Sequence, residues 1–98
     1  MDKDFHNLLN LMKNRYHLLI GKKSIKLLST YLYGYMHCMH DRDGVFPEFL
    51  SGFQEFIAER YGNLHRHWSN ILIKTAGSDS AAFDLFYSEL EKYLATFH

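Results

Sequence analysis

The chain predicts an all-α fold: a single domain over residues 1–98, built as a bundle of about five helices. Three observations carry that expectation. Apolar residues recur at helical spacing in five segments and rarely at the two-residue spacing of a strand. Gly21, Gly44, Pro47, Gly62 and Gly77 cut the chain into pieces of helix length. Apolar residues make up 47% and aromatics 16%, enough side-chain area for one core without a metal or a disulfide.

The first helix shows Phe5, Leu8, Leu9, Met12 and Tyr16 at i, i+3, i+4, i+7 spacing. "YHLLIGKK" then reads as a short extended link. Ser24 is placed to cap the second helix, because its hydroxyl can accept from an early N–H that lacks a helical partner. That helix buries Ile25, Leu28, Tyr31, Leu32, Tyr35 and Met39, and "DRDG" ends it. Gly34 lies inside it between Tyr31 and Tyr35. An interior helical glycine costs about 1 kcal/mol relative to alanine, so the expectation is a close approach by a neighbour, the third helix or Trp68.

Pro47 suits the first turn of the third helix, where its missing N–H costs nothing. Phe46, Phe49, Leu50, Phe53, Phe56 and Ile57 form that helix's apolar stripe, and Gly62 stops it. Leu64, Trp68, Ile71, Leu72 and Thr75 form a fourth face, ended by Gly77. "SDS" supplies a cap and negative charge for the start of the last helix, where an anion complements the helix dipole. Its stripe is Phe83, Phe86, Tyr87, Leu90, Leu94 and Phe97. His17–Ile20 and Asn70–Lys74 are apolar enough to be short strands instead.

Composition bounds the function. One cysteine cannot form an internal bridge, which fits a reducing compartment. No apolar run approaches the ~20 residues that span a bilayer, and the opening "MDKDFHNLLNLMKNRY" lacks the pattern of a signal peptide. The expectation is a cytoplasmic protein without membrane contact. Eleven basic and eleven acidic residues give zero net charge, which argues against a general nucleic-acid binder. The charge is unevenly spread, at +4 over residues 1–26, −3 over 27–62 and −1 over 63–98. Such polarity acts on encounter rate and partner choice.

The residue patterns point away from chemistry. His37 and His40 share a helical face, but Cys38 points about 100° away from His37. His65 and His67 complete no four-ligand zinc set. No GxSxG, HExxH or P-loop is present. No catalytic residue, metal or cofactor is expected, and Cys38 reads as a buried structural thiol. The acidic residues suggest a binding face instead. Glu48, Glu55 and Glu59 are spaced seven and four apart on the third helix with Gly52 between them, and Asp41 and Asp43 fall in the loop before it. Asp84, Ser88 and Glu91 form a weaker analogue on the last helix.

The order of motifs adds to this reading. "RYHLLIGKKSIKLLSTYLYGYMHCM", "FPEFLSGFQEFIAERYG" and "HWSNILIKTAGSDSAAFDLFYSELEKY" follow one another over about residues 15–94. This resembles the small helical immunity proteins of bacterial polymorphic toxins, in particular those of contact-dependent growth inhibition systems. The shared features are a link ending in Gly-Lys-Lys-Ser, a helix with "GY", a Phe-rich helix, a Trp before an Ile-rich stretch, and a closing "AFxxFYxxLxxY". They are packing motifs rather than a catalytic signature. Many family versions have "RP" or a similar pair where this chain has Arg15-Tyr16, and an aromatic where it has Leu19.

The resemblance implies a protein that binds and neutralises a cognate toxin's C-terminal domain, often a nuclease, without catalysis or cofactor. Nuclease clefts are basic, so Asp41, Asp43, Glu48, Glu55 and Glu59 become the expected partner-binding residues. A second function class, a helical nucleic-acid-binding or regulatory adaptor, would draw on Lys13, Arg15, Lys22, Lys23 and Lys26. A third, a small enzyme using Cys38 and a histidine, would need a reactive thiol.

Overall fold

Each of the five expected segments forms a helix. The computed structural model describes the backbone of residues 3–43 and 49–96, and side chains within 5–38 and 50–96. In order the helices are α1 (Lys3–Leu19), α2 (Ile25–Asp43), α3 (Phe49–Tyr61), α4 (Trp68–Ala76) and α5 (Asp79–Ala95). Among the described residues there is no strand, and both alternative strand segments are helical up to the turn at Ile20. The first half of the expected extended link is helical, through Leu19, while Ile20 to Lys22 form a turn and bend that lead to α2. Arg15 leaves helical geometry at φ −133° and ψ 37°, and a last turn resumes after it. That turn, closed by Ile20 N–H donating to Tyr16 O at 2.8 Å, brings the half-buried Leu19 and Ile20 against the core. Burial of apolar side chains decides the local conformation here.

α5 is the hub. It packs on α2, α3 and α4, and it meets α1 through an edge contact of Phe83 with Tyr16 and a 2.8 Å hydrogen bond from Tyr87 Oη to Leu9 O. Phe53 of α3 sits in an aromatic cluster, with ring centroids 5.4 Å from Trp68, 5.4 Å from Phe86 and 5.6 Å from Tyr93. Edge-to-face pairs of this kind add to the area they bury. Phe5, Leu9, Met12, Ile25, Leu28, Leu32, Leu50, Ile57, Ile71, Leu72 and Leu90 complete one continuous core.

Several expected core residues change place. Leu64 is 72% exposed, because it lies in the loop before α4 rather than on that helix. Thr75 is exposed as well. In α2, Met36 takes the buried position, while Tyr31 and Tyr35 are only partly buried. Gly44, Phe46, Pro47 and Phe97, with the side chains of Met39 and Phe49, lie outside the described residues.

The helix ends follow local chemistry. Ser24 Oγ accepts from Leu27 N–H at 3.2 Å, and Ser78 Oγ accepts from Ala81 N–H at 3.0 Å, as N-caps do. One contact is long-range. The Asp79 carboxylate accepts from Ser24 Oγ at 2.5 Å and from Lys26 N–H at 3.0 Å, so the first turn of α5 also caps α2. Burial opposes ionisation of this carboxylate, but these hydrogen bonds outweigh it and hold Asp79 below the usual carboxylate range. Gly77 ends α4 at φ +93°, donating to Ile73 O at 2.8 Å in the left-handed geometry that glycine adopts without strain.

The close approach expected at Gly34 occurs at Gly52 instead. Gly34 is exposed, and a Cβ built there meets nothing within 4 Å among the described residues. A Cβ built on Gly52 would run into Tyr93 Oη and lie 3.4 Å from its Cζ. The Tyr93 ring cannot swing away freely, because it rests against Phe53 and Phe56. Gly52→Val should therefore cost about 1–3 kcal/mol by overpacking. Gly34→Ala should gain about 0.4–1 kcal/mol by restricting the unfolded chain. Urea unfolding of the two variants checks both signs; equal effects would mean that Gly52 has room.

Candidate functional site

The structure divides the expected acidic face. Glu55 and Glu59 are exposed on α3 one turn apart, and neither forms an ion pair or hydrogen bond with another described side chain. Asp41 and Asp43 are not in a loop: the backbone stays helical through Asp43, so they occupy the last turn of α2. Acidic groups at a helix C-terminus oppose its dipole. Their side chains, and all of Glu48, lie outside the described residues. The stripe also runs along the α3–α5 seam rather than opposite the core, since Gly52, on the same stripe, abuts Tyr93. Burial, helped by the nearby charge of Glu55, raises the pKa of the Tyr93 hydroxyl. In the weaker analogue on α5, Asp84 is taken by Lys23 at 2.8 Å, while Ser88 and Glu91 are exposed.

A buried carboxylate that the sequence reading missed locks this seam. Glu89 of α5 is 1% exposed. Its Oε1 accepts from Tyr61 Oη at 2.9 Å, with Lys92 Nζ at 3.6 Å. Its Oε2 lies 2.6 Å from Arg60 Nε but off the N–H direction, which makes an ion pair without an aligned hydrogen bond. The Glu89 contact raises the pKa of Arg60, and burial together with Glu89 raises that of Tyr61. In the sequence Glu89 is one of two glutamates two residues apart, and the other, Glu91, is exposed. Only its register on α5 shows that Glu89 faces inward.

A separate trough lies between α2 and α4. Lys26, Ser29, Thr30, Tyr33, His67 and Ser69 line one depression of about 440 Å³. Lys26, His65, Arg66, His67, Asn70 and Lys74 line most of another, of about 400 Å³. Lys26 and His67 belong to both, so the two adjoin. Gln54 of α3 pins the intervening loop by donating from Nε2 to Arg66 O at 2.8 Å and accepting from Trp68 N–H at 2.8 Å.

His67 is the keystone of that trough. It caps α4, its Nδ1 accepting from Ser69 N–H at 3.2 Å. Ser69 Oγ lies 2.7 Å from the same nitrogen. Nδ1 therefore carries no proton, and Nε2–H donates to Tyr33 Oη at 2.8 Å. Trp68 Nε1–H also donates to Tyr33 Oη, at 3.2 Å. Burial lowers the pKa of His67 below 6.5. Around it stand Lys26 and Tyr33 from α2, His65 and Arg66 from the loop, and Lys74 from α4, and among the described residues no carboxylate lines the trough to favour an imidazolium.

The sign of the pH effect follows. A folded-state pKa below the unfolded one means the proton binds the unfolded chain better. The His67 contribution is complete above the ordinary value of 6.5 and is lost as pH falls through the folded value. Thermal scans should show Tm declining from pH 7.5 to pH 5. His67→Asn keeps a capping acceptor and should flatten that decline. An unchanged slope would assign it to other groups.

The remaining candidates separate. Cys38, expected inside, is exposed: Met36, two residues earlier, takes the core-facing position. His37 is exposed, and the side chain of His40 lies outside the described residues. Among the described residues no group of three or more His, Cys, Asp or Glu is positioned to hold a metal ion, and no helix is long and apolar enough to cross a membrane. The chain matches no family model, and neither a curated protein nor a solved structure proves similar to it.

Proposed function

We propose that this chain is an immunity-type protein, which binds the C-terminal domain of a cognate toxin, a nuclease by preference, and neutralises it by occupying its surface. The observation that carries the reading is the pair Glu55 and Glu59, exposed on α3 with no ion-pair partner among the described residues. Uncompensated carboxylates one turn apart on a rigid helix suit a basic substrate cleft, where charge complementarity speeds encounter and rejects wrong partners. The helix is held rigidly, because Glu89 ties Arg60 and Tyr61 to α5. The order of packing motifs along the sequence supports the same reading. Asp41, Asp43 and Glu48 are proposed as further partner-binding residues on the sequence pattern alone.

Calorimetric titration against the toxin domain encoded in the adjoining reading frame tests it. The double variant Glu55→Lys, Glu59→Lys should weaken binding by about a hundredfold, within the range for losing a desolvated charge pair. Its helical circular dichroism should be unchanged, and the loss should shrink at high salt, where steering is screened. Unchanged affinity would discard this face. Failure of the wild-type chain to bind would discard the function.

A further inference from the structure

We infer that the trough between α2 and α4 is a binding site for a nucleotide phosphate, carried by a free nucleotide or by single-stranded nucleic acid. The proposal does not depend on the toxin-binding reading and lies on different residues. Three cations, Lys26, Arg66 and Lys74, line the trough, all exposed, and none forms an ion pair with a described residue. Other basic residues are already engaged: Lys23 with Asp84, Arg60 with Glu89, and Lys13 over the Tyr87 ring. Among the described residues no acidic side chain lines either depression, although the charge of Lys26 also acts on Asp79 beside it. Zero net charge argues against a general polyanion binder, but it leaves a local cationic trough free to act at short range.

Shape and wall chemistry narrow the ligand. Each depression, at about 400 Å³ and about 440 Å³, falls within the usual range for small-ligand sites. The wall between them is aromatic: Tyr33 is 38% exposed, and its ring lies 5.5 Å from that of His67. Hydrogen bonds to His67 Nε2 and Trp68 Nε1 hold the tyrosine hydroxyl, so the ring is fixed before any ligand arrives. A fixed aromatic face beside Arg and Lys suits a base stacked over its own phosphate. Ser29, Thr30 and Asn70 add neutral hydrogen-bonding groups along the same floor. An acidic peptide would use the cations but leave the aromatic wall without a role.

Fluorescence anisotropy with a short labelled oligothymidylate, competed by AMP, inorganic phosphate and oligoglutamate, tests the site. The strand should bind at about 50 mM salt, with log Kd rising against log salt at a slope of about 2, for three phosphates neutralised. Lys26→Gln, Arg66→Gln and Lys74→Gln together should weaken it at least about tenfold and flatten that slope. The control pair Lys13→Gln and Lys22→Gln, outside the trough, should keep the affinity. Competition by AMP well above that by inorganic phosphate supports a free nucleotide as the source; strand binding that AMP does not displace supports the strand. The proposal is overturned by no binding of strand or AMP, by a triple variant that binds as before, or by oligoglutamate competing as well as AMP at equal charge.

Discussion

Trp68→Ala should destabilise the protein by about 3–5 kcal/mol, the range for truncating a buried aromatic to alanine. Trp68 is 0% exposed and starts α4. Its ring lies 5.4 Å from Phe53 at 79° and 5.3 Å from Phe86 at 33°, so it joins α3 and α5 across α4. The indole N–H also holds Tyr33 Oη, which ties in α2. Removal opens a cavity where four helices meet, and each has its own backbone contacts to keep, so collapse can refill it only partly. A domain of about 100 residues loses roughly 4–8 °C of Tm per kcal/mol, so Tm should drop by at least about 12 °C. Trp68→Phe should lose less, because it keeps an aromatic ring in the cluster and gives up only part of the indole volume and the N–H to a partly exposed hydroxyl. Urea unfolding followed by circular dichroism checks this. A loss under about 1 kcal/mol for the alanine variant would mean that Trp68 does not anchor the core. A tryptophan this enclosed presents no surface to a partner, which excludes the interface role that exposed tryptophans often take.

Glu89→Ala should cost roughly 2–5 kcal/mol, the range for cutting a buried side chain of that length to alanine. The truncation empties the α3–α5 seam and leaves the half-buried Tyr61 hydroxyl without its acceptor. Glu89→Met separates volume from charge. Apolar residues of similar size often replace buried ion pairs at little cost, because the attraction lost and the desolvation penalty relieved nearly cancel. Arg60 is exposed enough to rehydrate once its partner has gone. The methionine variant should therefore recover most of the loss. A methionine variant as weak as the alanine one would show that the carboxylate itself, and not its bulk, holds the seam.

Much of the fold was legible because helical periodicity and caps are local. Phe5, Leu9 and Met12 repeat at the spacing of a buried face, and so do Leu50, Phe53 and Ile57 and later Phe83, Phe86 and Leu90; all of them are buried. Ser24 and Ser78 cap where their hydroxyls precede apolar runs. For the proposed partner face, local spacing placed Glu55 and Glu59 on one exposed strip of α3.

Tertiary structure decided what depends on a distant neighbour. Whether an interior glycine is a contact or an exposed gap depends on what lies opposite, and among the described residues that is Tyr93 for Gly52 and nothing for Gly34. Glu89 and Glu91 are alike in sequence, yet one is buried against Arg60 and Tyr61 from another helix and the other is exposed. The trough draws Lys26 and Tyr33 from α2 and Arg66 and Lys74 from far along the chain. No local pattern joins them, because periodicity fixes which face of a helix turns inward, whereas packing between helices fixes which faces meet.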